Sequence, residues 1–420
     1  MSSKIKSENK KSSLFKKLFT LIVFSMSTLV SVYFINNNEK LDNEETKESM
    51  KNEQDIYIAN LINDAEYLKS GYYIDEAIDL LNSSEYKDDE QIKSEVAEFE
   101  NYKSGFVKYE GDIEHIFFHS LIVYPQLAFD NNGHPPEGYN MWFTTVEEVK
   151  RMLPLLKEKG YVLVNMSDIF TQDNNGQVIK KDLYLPKGKK PLVISQDDVN
   201  YYNYMELDGF AEKLVLTENK KVETLVKNLD NEFEVTNDGD LVPILEEFLI
   251  YNPEFSYRGA KGILAVTGYE GVFGYNLENN ESIEEAKKIA NKLKENGWEI
   301  ASHSYTHNGN GFFGQNPLYK NLKYDFDKWN EKIRNVVGDT DIFIAPYGTT
   351  LDGANFNLAK SSGFNIYCNV YRKSSITTKN NTLLMSRFNI DGFTMIKHTD
   401  EVNERFFDVE KVIDKNRPPL

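Results

Sequence analysis

The run Leu192-Val193-Ile194-Ser195-Gln196 has the length and apolar character of a buried strand, and it delivers two adjacent carboxylates, Asp197 and Asp198, at its end. Neighbouring carboxylates repel, so a structured site that holds both must relieve the repulsion. A cation bound by one, with the other left as a proton acceptor, does so. Further along, Trp298-Glu299-Ile300-Ala301-Ser302 is a second apolar run, and it ends in His303-Ser304-Tyr305-Thr306-His307. One carboxylate and two imidazoles suit a borderline divalent metal such as zinc with a coordination position left open. Each signal alone has an ordinary explanation: an acidic pair is a common solvated turn, and two histidines four apart are common surface or core residues. The chain has only six histidines, and two of them follow a strand just as the acidic pair does. The combination favours one shared metal site.

The strands recur. Apolar candidates centre on Phe117, Leu163, Val193, Leu264, Ile300, Phe343, Ile366 and Leu384, with helices between many of them. Thr145-Val146-Glu147-Glu148 is a capping box whose helix closes near Gly160, and Ser282-Ile283-Glu284-Glu285 is expected to open another that closes near Gly297. The alternation predicts an α/β fold over 109–420, a distorted (β/α) barrel of seven or eight parallel strands, and not an antiparallel sandwich. Residues 199–258 read as an insertion, with a hairpin over 209–225 and a helix over 240–251. His119, Asp197, Asp198, His303 and Pro346-Tyr347 each follow a predicted strand. In a parallel barrel all those ends share one face, where such folds build their sites.

A formal net charge of −18 opposes nucleic acid or anionic lipid as the main partner, because like charges repel. It leaves a neutral or cationic glycan open. Cys368 is the only cysteine, so no intrachain disulfide forms; within the apolar run 365–370 it reads as a small buried strand residue. Lys4, Lys6, Lys10, Lys11, Lys16 and Lys17 precede an uncharged, mostly apolar stretch at 18–34, and polar, acidic sequence follows from Asn36. This predicts a basic N-terminus with a signal-anchor helix over 1–35, a single pass through the cell membrane and the body of the chain outside. A cleaved signal peptide that releases a secreted protein is the alternative. Residues 36–54 are expected as a flexible stalk.

Over 55–108 the pattern is helical. Ile58, Leu61, Ile62 and Ala65 share one face, Ala77, Ile78, Leu80 and Leu81 another, and Lys69-Ser70-Gly71-Tyr72-Tyr73 is a turn between them. The order resembles half a tetratricopeptide hairpin, which cannot bury its own face and is expected to pack on the next domain as a spacer.

Three stretches, Ser195-Gln196-Asp197-Asp198, His303-Ser304-Tyr305-Thr306-His307 and Ala345-Pro346-Tyr347-Gly348, resemble in order the motifs of the NodB-like polysaccharide deacetylases, carbohydrate esterase family 4. The resemblance covers about 112–395. It implies hydrolysis of an N- or O-acetyl group on an acetylated polysaccharide. It also implies a divalent metal, Zn2+ first and Co2+, Ni2+ or Mn2+ as alternatives, held by Asp198, His303 and His307. Asp197 would be the general base and the backbone N–H of Tyr347 an oxyanion donor. With the predicted anchor, a cell-envelope or extracellular glycan containing N-acetylglucosamine is the expected substrate.

The chain departs from that family in three places. Ile344 stands where the family usually has an arginine that pairs with the base; Arg387 is the expected replacement and Asp391 the expected orienter of a histidine, against the ordinary alternatives of a surface arginine and a turn aspartate. Val199-Asn200 follow the acidic pair where the family usually has Gly. The general acid, usually a histidine near the carboxyl end, has a poor match in His398. His119 resembles the acid histidine of the circularly permuted poly-N-acetylglucosamine deacetylases and is preferred. His115 reads as structural and His134 as a loop residue. Trp142, Tyr201, Tyr202 and Tyr204 are expected either to stack on sugar rings or to pack under loops. The competing functions are a non-catalytic glycan-binding protein on a deacetylase scaffold and, more weakly, a tether that recruits a partner through the helical segment. The acidic pair disfavours the first, since binding alone needs no base.

Overall fold

The computed structural model describes residues 43–420 apart from Asn131 and Asn175. The expected signal-anchor stretch and the first part of the expected stalk lie outside the described residues. Among the described residues no helix is long and apolar enough to cross a membrane. The chain divides into two units, 1–61 and 62–420. In the first, the described residues belong to helix α1 (Asn43–Ser70). Residues 43–54 are therefore helical where a flexible stalk was expected. No glycine or proline occurs anywhere in 43–70, so nothing interrupts a run rich in helix formers.

In the second unit, α2 (Ile74–Asn82) follows the turn at Gly71, where Tyr72 takes a left-handed φ of 66°. A third helix, α3 (Glu90–Ser104), opens on Asp89, whose side chain accepts the Gln91 N–H at 2.8 Å. The turn at Gly71 and Tyr72 meets the barrel within this unit. Tyr72 donates its hydroxyl to the Glu254 carbonyl at 2.9 Å, and the Arg258 N–H donates to the Gly71 carbonyl at 2.9 Å. Both partners lie in the loop that enters a barrel strand, at the end away from the acidic pair.

Eight parallel strands coincide with the eight apolar centres. They are β1 (Glu114–Phe118), β2 (Tyr161–Leu163), β3 (Lys190–Gln196), β4 (Ile263–Val266), β5 (Glu299–Ser302), β6 (Ile342–Ile344), β7 (Ile366–Val370) and β8 (Thr382–Asn389). Seven close a barrel in the order β1-β3-β4-β5-β6-β7-β8 and back to β1. The eighth, β2, stays outside the ring because it shares an edge of β3 with β4. Leu163 ends β2 opposite Leu192, and Ile263 begins β4 opposite Ser195.

Strand alternation sorts the core into two layers. Val193, Ala265, Ala301, Ile344, Cys368 and Met385 belong to the inner cluster, while Leu192, Ile194, Leu264, Ile300 and Phe343 face the surrounding helices. Two residues further along three of the inner rows come Ser195 then Asp197, His303, and Arg387. The period that fills the barrel thus also aims these side chains into its mouth.

The capping box at Thr145 and Glu148 opens α4 (Val146–Glu158) as expected. The insertion holds the expected hairpin, Ala211–Leu216 against Val222–Lys227, extended by a third strand, Phe233–Thr236. Asp240 caps α5 (Leu241–Tyr251). Helix α6 (Asn280–Glu295) opens earlier than expected. Its cap is Asn279, whose side chain accepts the Ser282 N–H at 2.9 Å, so Ser282 is inside the first turn rather than at its head.

Candidate active site

The ends of β3 and β5 bring Asp198, His303 and His307 together, with one ligand atom of each within 4.8 Å of the others. His307 Nε2 lies 3.5 Å and His303 Nε2 3.9 Å from Asp198 Oδ1. A cation bonded to each at the usual zinc distances separates tetrahedral donors by about 3.4 Å, so small side-chain adjustments suffice and the donor set fits a divalent metal. His303 Nδ1 donates to the Ile344 carbonyl at 2.8 Å, which fixes the tautomer and leaves the Nε2 lone pair facing Asp198. Burial, only partly offset by the two aspartates, pushes the His303 imidazole below its ordinary value, toward the neutral form a metal needs.

Asp197 faces the same centre, its Oδ2 3.9 Å from His303 Nε2. It is the residue Arg387 was expected to hold, and Arg387 is there. From β8 the guanidinium donates to Asp197 Oδ1 at 2.7 Å and Oδ2 at 2.9 Å, with both side chains almost fully buried. The cation also lies 4.0 Å above the Phe117 ring and donates to Ser195 Oγ at 3.2 Å, which in turn contacts His115 Nε2 at 2.9 Å. His115 is thus a buried support of this network. Burial opposes ionisation of Asp197, but Arg387, His303 and His119 overcome it and hold the carboxyl down at about 2.

His119 leaves β1 toward the same mouth, close enough that its charge acts on both Asp197 and Asp198. Its Nδ1 donates to the Trp142 carbonyl at 3.0 Å. Among the described residues Asp391 makes no hydrogen bond to a histidine, although it lies within electrostatic reach of His119. It caps the helix Gly392–Lys397, accepting the Thr394 N–H at 2.7 Å, and pairs with Asn389. An aspartate two residues after a strand and immediately before a helix finds free backbone donors nearer than any side chain. His398, at the other end of that helix, meets Arg372 at 3.1 Å and the Phe393 ring, and no contact joins it to the acidic pair among the described residues.

Tyr347 occupies the Pro346–Gly348 turn with a left-handed φ of 56°. Its ring lies 5.0 Å from that of His307, and its hydroxyl donates to the His307 carbonyl at 2.8 Å. Its backbone N–H meets no acceptor among the described residues.

Several supporting residues carried no clear signal in the sequence. Tyr202 donates its hydroxyl to Asp198 Oδ1 at 2.5 Å and packs its ring 6.5 Å from His307, so it buttresses the candidate metal site instead of lying open to a sugar. Asn200, where the family usually continues with Gly, is buried and grips the 267–271 loop by accepting the Thr267 N–H at 3.1 Å. Asp325 accepts the N–H groups of Tyr305 and Thr306, both at 2.8 Å, and the Thr306 hydroxyl at 2.7 Å. It clamps the loop in which Ser304 and His307 are left-handed. Tyr201 is buried against Asp240, whereas Trp142, Tyr204, Tyr269 and Tyr347 stay exposed around the mouth. Trp142 stacks on Phe393, and Tyr204 on Tyr202.

Residues 268–367 match the family model described as polysaccharide deacetylase. No curated protein matches the chain. It is similar to solved structures that include a de-N-acetylase from Aggregatibacter actinomycetemcomitans, at 16% identity and a TM-score of 0.39, covering 69% of this chain and 99% of that one. IcaB from Ammonifex degensii is 12% identical, with a TM-score of 0.40, and covers 69% of this chain and 97% of that one. A polysaccharide deacetylase from Bacillus cereus is 14% identical, with a TM-score of 0.40, and covers 71% of this chain and 69% of that one. The matched segment contains His303, His307 and the Pro346–Gly348 turn, the same residues that converge with Asp198 on one centre. On that match, residues 268–367 are similar to the polysaccharide deacetylase family.

Proposed function

We propose that this deacetylase removes acetyl groups from an N-acetylglucosamine-containing glycan of the cell envelope or extracellular matrix, using a divalent metal, zinc first, held by Asp198, His303 and His307. The observation that carries the reading is the division of labour in the acidic pair. Asp198 points its Oδ1 at two imidazole nitrogens, while Asp197 is held apart by Arg387. A glycan-binding protein needs no second, separately tethered carboxylate.

When bound, the metal polarises the acyl carbonyl and makes a water acidic. The Asp197 oxygens each accept one hydrogen bond from Arg387 and keep a second lone pair, with which Asp197 would take a proton from the attacking water. The N–H of Tyr347, which meets no acceptor among the described residues, donates to the oxygen that gains charge. His119, its Nδ1 anchored on the Trp142 carbonyl, presents Nε2 to the departing amine or alcohol and protonates it. A location outside the cell membrane, reached by an anchor at 18–34 with its basic flank inside, rests on the sequence pattern.

The test measures metal content together with acetate release from acetylated chitooligosaccharides and peptidoglycan, with Asp197→Asn as the control. Stoichiometric metal with acetate release that Asp197→Asn abolishes is the expected result. Stoichiometric metal with no acetate from any substrate would turn the reading toward a binder.

A further inference from the structure

Asp240 is fully buried where the insertion meets the barrel mouth, and its carboxylate accepts four hydrogen bonds from four parts of the chain. Oδ1 takes the Leu241 N–H at 2.8 Å, Gln196 Nε2 at 2.7 Å and the Leu121 N–H at 3.2 Å; Oδ2 takes the Tyr201 hydroxyl at 2.6 Å. A helix cap needs only the first of these. The other three donors belong to the site. Leu121 lies two residues beyond His119, Gln196 immediately precedes Asp197, and Tyr201 immediately precedes Tyr202, which donates to Asp198.

The turn between those donors resists its own geometry. Asp198 and Tyr201 are both left-handed, each with a φ of 57°, a conformation that costs a residue with a Cβ about 1 kcal/mol or more. It persists only if the surroundings over-determine it. Asn200 pins one side of the turn to the 267–271 loop, and Asp240 holds the other.

We infer that Asp240 is a positioning residue of the active site. By gripping the ends of β1 and β3 at once, it sets the distance between His119 and the Asp197–Asp198 pair, and the insertion becomes part of the site's framework. Geometry of this kind matters because a displacement of about 1 Å at reacting groups costs about 10²-fold in rate. The inference rests on the deacetylase reading for its kinetic consequence, but the geometric consequence does not.

Asp240→Asn and Tyr201→Phe are each compared with the wild type in two measurements. The first is kcat and KM for acetate release. The second is the set of imidazole nitrogen resonances of His119 and His303 in isotopically labelled, metal-free protein. Both variants are expected to shift the His119 resonances and to lower kcat about tenfold or more with KM little changed, Tyr201→Phe by the smaller amount. If thermal stability falls while the resonances and kcat stay where they are, Asp240 is only a helix cap and the inference is overturned. If Asp240→Asn does not fold, Tyr201→Phe decides by the same two readouts. Should the wild type release no acetate while the resonances still move, the deacetylase reading fails and the positioning role stands.

Discussion

Arg387 holds Asp197 by two parallel hydrogen bonds, at 2.7 and 2.9 Å, from the last strand of the barrel. Asp197, the proposed base, therefore has a guanidinium partner although Ile344 occupies the place where the family usually has an arginine. A lysine cannot reproduce the fork, and a methionine leaves a buried carboxylate without its counter-charge. Arg387→Lys is expected to lower kcat at least about tenfold, and Arg387→Met to cost about 3–5 kcal/mol of stability as well. Because Arg387 depresses the Asp197 carboxyl, losing it lets that pKa rise. The acidic limb of the pH–rate profile should then move to higher pH in both variants. An unmoved limb with normal kcat would mean that Asp197 does not serve as the base.

His119 and His398 make opposite predictions for the proton donor. His119 stands within electrostatic reach of both aspartates, whereas His398 is tied to Arg372 on the far side of the helix Gly392–Lys397. His119→Ala is expected to lower kcat about 10²-fold or more while the protein still binds its metal stoichiometrically. His398→Ala is expected to keep kcat within about twofold. Kinetics on the two purified variants, with metal content measured in parallel, decide between them.

Much of this site was legible because barrel periodicity is visible in the sequence. Each strand centre from Phe117 to Leu384 falls in a parallel strand, and the alternation that marks Val193 and Ala301 as inward residues carries on to Asp197 and His303. What stayed hidden depends on contacts between residues far apart in the chain. Nothing near Asp325 announces that its carboxylate will satisfy three donors on a loop 19 residues earlier. The sequence leaves Tyr202 as either a sugar platform or a packing residue, and only the fold brings its hydroxyl onto Asp198. Asp391 was open to two readings for a local reason: a carboxylate just before a helix caps its first amides, as Asp391 does for Thr394, while still lying within electrostatic reach of His119.

Asp325 offers a test of how far the metal site depends on such support. With the carboxylate gone, the amides of Tyr305 and Thr306 lose their buried acceptor, and Ser304 and His307 lose what keeps them left-handed. Asp325→Ala is expected to weaken metal binding about 10–100-fold, since His307 is the proposed ligand carried at the end of that loop. Asp325→Asn keeps one acceptor oxygen and should fall between Ala and wild type. Competitive titration with a chromogenic chelator measures all three proteins. Equal affinities would show that the loop holds its shape without the clamp.

Glu299, the first residue of β5, predicts a pH dependence of stability that is separate from catalysis. Its Oε2 accepts the Met166 N–H at 2.7 Å and its Oε1 the Ser167 N–H at 3.1 Å. Burial outweighs these donors and pushes the carboxyl up from 4.5 to about 7. Between those values the folded chain holds a proton that the unfolded chain has released, so stability is greatest at low pH and falls as pH rises through about 7. A shift of this size corresponds to about 3 kcal/mol in full, of which about 2–3 kcal/mol falls between pH 5 and pH 8. Glu299→Gln cannot ionise, so it lacks this contribution whatever its absolute stability. The gap in unfolding free energy between wild type and Glu299→Gln, measured by urea denaturation at pH 5 and pH 8, is expected to move by that amount in favour of the variant at pH 8. Two curves that stay parallel across the range would show that Glu299 titrates near its ordinary value in the folded protein.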